Sequence, residues 1–382
     1  MTPAARAQAA ITVLDQILSG EPAEAALLRW SRASRFAGSG DRAAVRDLVF
    51  DALRCRDSRA ALGGALSGRG LILGMCREEG LDPALIFSGS GHGPDPLADS
   101  ELTGGRQPDD DEALDLPGWL LPSWRMALGE QAGPIARAMR ERAPVWLRIN
   151  TRLADTASTQ RCLAEEGIEA EPSRDLPSAL CVRAGARRIA SSRAYLEGMV
   201  ELQDLSPQLA CAELPQAATV LDFCAGGGGK SLALAARGGA KIIAHDANHD
   251  RMRDLPARAK RARARIEIAK PGQVLGDFDL VLADVPCSGS GTWRRTPDAK
   301  WRLTAQGFQD LLGLQARIMS EAAGHVAAGG HLAYMTCSLL REENQDQVAA
   351  FLAQAAFEPV MQQIFTPLDA SDGFFVAVMR RR

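Results

Sequence analysis

The chain has 382 residues, a net charge of −3, and 46% hydrophobic, 24% charged and 5% aromatic residues. That balance supplies a folded core and excludes a disordered or fibrous chain. It holds no run of 18 apolar residues, and Asp15 interrupts the apolar pattern of the first twenty, so neither a membrane span nor a signal peptide is expected and the protein reads as cytoplasmic.

Residues 1–87 read as helices. Thr2-Pro3 is a cap followed by a first-turn proline, and Ile11, Leu14, Ile17 and Leu18 share one face. Asp41 can cap a second helix with a stripe of Val45, Leu48, Val49, Ala52 and Leu53. Residues 88–117 hold eight acidic residues and one basic (Arg106), a net charge of −7, so the rest of the chain carries +4. Their Gly, Pro and Asp content predicts an acidic flexible linker. Residues 118–205 read as a helical connector and a small α+β module. Val145, Leu147 and Ile149 alternate as a strand, and Asp155 caps a helix to about Gly167. Short strands near 168–171 and 179–183, a helix over 191–198 and a strand over Met199–Asp204 complete a βαββαβ order.

From 206 to 382 strands and helices alternate. Strands are expected at Thr219–Cys224, Lys241–Asp246, Phe278–Val285, His331–Cys337 and Phe374–Met379, and helices at 230–238, 248–263, 304–327 and 341–354. Near-continuous apolar strands point to a doubly wound parallel α/β sheet, which binds ligands at the carboxyl ends of its strands. At the first such end Asp222-Phe223-Cys224 runs into Ala225-Gly226-Gly227-Gly228-Gly229-Lys230-Ser231. A P-loop fails because Cys224 stands where its first glycine belongs, and a GxGxxG fingerprint from Gly226 would end on Ser231. The next strand ends in Asp246, an acid able to accept both hydroxyls of a ribose. Turn and acid together fit a nucleoside cofactor without an obligatory pyrophosphate, such as S-adenosylmethionine; a plain tight turn is the alternative.

Two later strands end in Asp284-Val285-Pro286-Cys287 and Thr336-Cys337-Ser338. If these strands are neighbours, about 5 Å separates their backbones and both thiols face one crevice with Asp284. Carbon-5 of cytosine is too weak a nucleophile to take a methyl group directly. A thiolate adding to carbon-6 makes carbon-5 enamine-like, an acid near N3 relieves the charge created, and a base then removes the carbon-5 proton.

The motifs DFCAGGGGKS (222–231), DVPCSGSGTWRRTPDAKW (284–301), TCSLLREEN (336–344) and DGFFVAVMRR (372–381) resemble those of the bacterial RsmB-like (Sun-type) RNA cytosine-5 methyltransferases. The resemblance implies a class I Rossmann-like methyltransferase domain over 206–382. It implies Cys337 as nucleophile, Cys287 as the residue assisting product release, and Asp284 in contact with the cytosine. Cys224, Ala225, Gly226, Gly227, Gly228, Gly229 and Lys230, with Asp246 and Asp284, would hold S-adenosylmethionine. LRIN (147–150) and ELQDLSPQ (201–208) look like the family's small RNA-binding module, and the helical N-terminus resembles a NusB-type RNA-binding domain. The implied partner is structured RNA, ribosomal first and transfer RNA second, with no metal, no membrane and a monomeric enzyme. Departures are Gly226 and Gly227 for the usual Ala-Pro, Ser231 for Thr, Gln345 for Glu, and no clear acid for the adenine ring in RIEIAKPGQVLGDFDL.

Other readings stand beside this one. In a DNA cytosine-5 methyltransferase Cys287 would be the nucleophile, and a non-catalytic RNA-binding or assembly factor could keep the fold. Most of the eight cysteines, which form no CxxC pair, are expected as buried small hydrophobes, and Cys224 as structural. His245 and His249 have metal-pair spacing but no third ligand, and are expected at the surface. Trp293 and Trp301, among Arg294, Arg295 and Lys300, suit either nucleic-acid stacking or packing against the sheet. The run 251–265 has seven basic residues and one acid, and reads as a solvated face or a phosphate-binding surface.

Overall fold

The computed structural model describes residues 1–274 and 276–382. Contacts divide the chain into two compact units, Met1–Arg142 with Thr292–Ala305, and Ala143–Gly291 with Gln306–Arg382.

The first unit is helical, as its 3.6-residue apolar spacing predicts. Thr2 Oγ1 accepts from Ala5 N–H (3.2 Å) to start the helix Pro3–Leu18. That helix packs with Ser39–Arg54 and Gly68–Glu78 around Leu14, Val45, Val49, Leu53, Leu71 and Ile72, all buried. Helices Arg56–Gly63 and Gly68–Glu78 meet backbone to backbone: a Cβ on Gly63 would lie 1.8 Å from Gly70 O. The boundary expected at 87 is not where the contacts divide, since the unit runs on to Arg142. Segment 88–117 is also more than a linker. It carries short helices at Asp99–Thr103 and Glu112–Leu114. Arg69 pairs with Glu101, Arg106 with Glu112 and Arg125 with Asp111, while Asp115 is buried on Ser58 and Arg140. Partners distant in sequence neutralise charges that read locally as a solvated run.

The second unit holds two sheets. Strands β1 (Val145–Ile149), β2 (Glu169–Pro172), β3 (Ala179–Ala184) and β4 (Val200–Leu202) form an antiparallel sheet in the order β2-β3-β1-β4. Asp155 caps the helix Thr156–Glu165 through Ser158 N–H (2.7 Å), and the connections give the expected βαββαβ module. The larger sheet contains β5 (Thr219–Asp222), β6 (Lys241–Ala244), β7 (Ile266–Ile268), β8 (Phe278–Asp284), β9 (Val326–Thr336), β10 (Phe357–Phe365) and β11 (Phe374–Arg381). Its order is β10-β11-β9-β8-β5-β6-β7, with β11 antiparallel to both neighbours and the β9-to-β7 pairs parallel. This is the doubly wound, Rossmann-like class I arrangement expected. Val220, Leu280, Leu282, Ala333 and Val376 line one buried face, and Leu221, Val281, Leu332 and Ala377 the other. The expected set lacked β7, β10 and the short helix Pro297–Arg302. The helix expected over 248–263 breaks into His249–Met252 and Leu255–Arg261, where Pro256 is compatible only with the first turn of a new helix.

Candidate active site

Chain order reverses between β5 and β8, the place in a doubly wound sheet where ligands are bound at the carboxyl ends of the strands. The glycine turn leaves β5 here and enters the helix Gly229–Arg237. Gly228 has φ 78°, and a Cβ there would lie 2.2 Å from Leu255 Cδ1, so only glycine fits. Ala225 N–H donates to His245 O (2.8 Å), and Gly226 N–H donates to Asp246 Oδ2 (3.0 Å). Asn248 N–H reaches the other Asp246 oxygen at 2.9 Å, and Arg251 stands 3.4 Å from Oδ2. The small module supports the turn as well: Arg148 of β1 donates to Gly229 O at 2.8 Å.

Asp284 ends β8, half-exposed, with Lys230 Nζ 2.5 Å from Oδ2. Burial opposes the Lys230 charge, but the Asp284 carboxylate outweighs it and pushes the ammonium pKa above its ordinary value. Register pairs Asp284 with Met335 on parallel β9, and Val285 N–H donates to Met335 O (3.0 Å). Cys287 and Cys337 therefore leave adjacent strand ends, and their Sγ atoms lie 3.3 Å apart. Both are half-exposed although Thr336, Ser288 and Ser338 beside them are buried. The hydrogen bond to Cys337, burial and the nearby Glu343 charge push the Cys287 thiol well above its ordinary pKa.

The residues after the two thiols are laced together. Ser290 Oγ lies 2.9 Å from Ser338 Oγ and accepts from Leu339 N–H (2.8 Å), and Gly291 N–H donates to Cys337 O (2.9 Å). Glu343, fully buried, accepts from Ser288 N–H (2.7 Å), Ser288 Oγ–H (2.5 Å) and Gln315 Nε2 (2.9 Å). Asn344 accepts from Thr336 Oγ1 (2.5 Å) and donates to Ser338 O (2.9 Å). Sequence reasoning quoted Glu343 and Asn344 only as part of a motif. An acid–amide pair closely following a strand-end thiol was the available signal; Gln315, on the distant helix Ala305–Ala323, had none.

Cys224 lies at the turn, its thiol pKa raised by burial and by Asp222, Asp284 and Asp246, so it is held protonated and unreactive. Five of the other cysteines are buried. His245 is not at the surface: it is buried, with Nδ1 2.8 Å from Phe223 O and its ring against Phe223. No group of three or more metal-ligating side chains occurs among the described residues, and no helix among them is long and apolar enough to cross a membrane. Trp293 and Trp301 pack within the helical unit. Trp293 is buried, stacked 6.5 Å from Trp124, and Trp301 Nε1 donates to Leu53 O (2.7 Å). Burial closes Trp293 to stacking on a base, and the half-buried Trp301 ring has the Arg56 guanidinium 3.5 Å from its centroid; both pack in the helical unit rather than against the sheet. In the basic run Arg251 pairs with Asp246, Arg253 with Asp254, and Arg258 and Arg261 with buried Glu201. Lys260, Arg263 and Arg265 are exposed.

A profile described as 16S rRNA methyltransferase RsmB/F matches residues 210–380, and one for the ferredoxin-like domain of RsmF/B-like methyltransferases matches 116–187. Ribosomal RNA small subunit methyltransferase B of Klebsiella pneumoniae is 34% identical over 286 residues, which cover 70% of this chain and 66% of that protein. The Xylella fastidiosa protein of that name is 36% identical over 250 residues, covering 63% and 58%. The matches thus span 58–66% of the length of these two curated relatives. Among solved structures, the crystal structure of PH0851 superposes with TM-score 0.75 at 22% identity, covering 100% of this chain and 99% of that one. A methyltransferase homolog protein from Pyrococcus horikoshii superposes with TM-score 0.61 at 24% identity, covering 70% and 96%. With two profiles of one family matching in tandem and relatives at this identity, the chain belongs to the RsmB/F methyltransferase family.

Proposed function

We propose that this chain methylates carbon-5 of a cytosine in ribosomal RNA, using S-adenosylmethionine and a covalent Cys337–cytosine intermediate. The observation that carries the reading is the 3.3 Å approach of Cys287 and Cys337 beside Asp284. The donor set fits the cofactor: a cation with a ribose meets a glycine-only turn and three carboxylates, Asp222, Asp246 and Asp284, at neighbouring strand ends. One oxygen of buried Asp222 lacks a hydrogen-bond partner and adds an acceptor. Gly226, Gly227, Gly228, Lys230 and Asp246 would hold the group, and bound there it supplies the electrophilic methyl that carbon-5 takes. RNA contacts are assigned to the ferredoxin-like module and to the helical unit, read as NusB-like.

The 3.3 Å contact lets one sulfur donate to the other; in the assigned division of labour Cys287 S–H donates to Cys337 Sγ and stabilises that sulfur as the thiolate. Cys337 Sγ bonds carbon-6 while N3 takes a proton from Asp284, which Lys230, 2.5 Å away, supplies to it in turn, so the negative charge that develops at N3 is neutralised. After transfer a water takes the carbon-5 proton, the C5–H electron pair restores the C5–C6 double bond, N3 returns its proton to Asp284, and Cys337 leaves as the thiolate, the release assigned to the Cys287 S–H donor. The base must leave its stack to reach the thiol.

Ribosomal RNA containing 5-fluorocytosine tests this, because its fluorine cannot leave as a proton does and the adduct persists. Wild type and Cys287→Ala are expected to form the adduct, and Cys337→Ala to form none. Trapping by Cys337→Ala but not Cys287→Ala would make Cys287 the nucleophile. Trapping on transfer RNA or DNA in preference to ribosomal RNA would reassign the substrate.

A further inference from the structure

Two thiols on separate loops do not hold a 3.3 Å spacing unaided, since loop backbones have the freedom that strands lack. Ser288 follows Cys287 and Ser338 follows Cys337, and both serines are buried in one polar network. The group in that network with the most partners from separate segments is the Glu343 carboxylate. It fixes Ser288 through backbone and side chain, and Gln315 through Nε2; the same Gln315 nitrogen also donates to Pro286 O (3.0 Å) on the other side of Cys287. Tyr334 of β9 donates its hydroxyl to Glu343 O (2.7 Å) and joins the brace to the strand leading to Cys337. A buried carboxylate with three donors is a strong, directional anchor, because an ionised acceptor forms shorter and stronger hydrogen bonds than a neutral one.

We infer that Glu343 is a positioning residue: its carboxylate clamps the Cys287 loop, through Ser288 and Gln315, against the Cys337 loop and sets the spacing of the two sulfurs. The inference rests on the reading of Cys287 and Cys337 as the working thiols, and Glu343 itself touches neither substrate nor cofactor in it. Glutamine at 343 keeps one oxygen for Ser288 N–H and Gln315, but its amide must donate to Ser288 Oγ, reversing that bond. Alanine leaves Ser288 N–H without an acceptor in a buried place.

Phenylarsine oxide reports the spacing without any methyl transfer: arsenic exchanges its oxygen for two thiol sulfurs and releases water, so it binds tightly only where two thiols are close. Full-length wild type is expected to bind the arsenical as a two-thiol chelate that Cys287→Ser abolishes. Glu343→Ala and Ser288→Ala should weaken the chelate about tenfold, and Glu343→Gln by less. In methylation assays the same variants should lose kcat with KM for RNA unchanged, whereas a merely structural residue would lower the melting temperature and leave both constants of the folded fraction intact. If Glu343→Ala fails to fold, Ser288→Ala, which keeps the backbone bond to Glu343, carries the comparison. Undiminished chelation in the folded variants, or no chelation by wild type, overturns the inference. Chelation that responds as expected in a protein that methylates no RNA would overturn the functional reading and leave the clamp standing.

Discussion

Three carboxylates stand at the ends of neighbouring strands, and each is partnered differently. Asp246 takes backbone N–H groups and Arg251, Asp284 takes Lys230, and Asp222 takes Ser231, whose hydroxyl lies at 2.5 Å. Burial with so little compensation raises the Asp222 pKa to about 6. Folding therefore favours the protonated acid: its charge costs stability above pH 6, and the cost fades as pH falls from 6 toward the unfolded value of 3.8. Asp222→Asn is expected to be more stable than wild type at pH 7.5 by about 2 kcal/mol, with the advantage vanishing near pH 4. Thermal melts of cofactor-free protein across that range check it, and a pH-independent difference would contradict the buried-charge account. At this scale the sequence put Asp284, Cys287 and Cys337 at two strand ends, and the structure makes those strands neighbours. The sequence was silent on the Lys230–Asp284 pair and on Gln315, because nothing in local spacing says which side chains a sheet and a long helix will bring together.

Strands buried on both faces were legible as apolar runs, Leu280–Ala283 above all. β10 was not: it pairs only with β11, most of its side chains are exposed or half-exposed, and Pro359 sits at a register shift, so FEPVMQQIF has neither continuous apolarity nor clean alternation. β7 has three residues following a basic run and carries no periodicity to read. Segment Thr292–Ala305 left a nucleic-acid surface and packing against the sheet open, and it packs into the helical unit instead: Lys300 is buried with Nζ 3.0 Å from Arg54 O and 2.6 Å from Asp115 O. Burial depresses the Lys300 pKa to about 8, with Asp115 partly opposing the shift. The native state thus binds this proton more weakly than the unfolded chain, and wild type should gain stability relative to Lys300→Met as pH rises from 8 to 10. A gain on the order of 2–3 kcal/mol is expected from denaturant midpoints, and taking the difference cancels groups common to both proteins. A difference that is flat over this range would mean Lys300 holds its proton as firmly folded as unfolded, so that burial does not depress its pKa.

The helical unit is assembled from two stretches of chain, Met1–Arg142 and Thr292–Ala305. Residues 1–142 alone would leave Trp124 without its Trp293 neighbour, and would deprive Arg54 O and Asp115 O of the Lys300 ammonium and Leu53 O of the Trp301 indole. The isolated 1–142 fragment is therefore expected to bind a hydrophobic dye and melt broadly, with a synthetic 292–305 peptide restoring a cooperative transition. A sharp dye-free melt without the peptide would show that the stretch is dispensable. Sequence order hid this arrangement because the stretch sits inside one motif, DVPCSGSGTWRRTPDAKW, that continues straight from one unit into the other.

The consequence reaches protein engineering. A chimera that swaps the N-terminal part of one relative for another at position 142 would leave the exchanged helices facing a foreign Thr292–Ala305 stretch, inherited from the recipient. Functional hybrids should demand a double crossover, with the short excursion transplanted alongside the helices it completes.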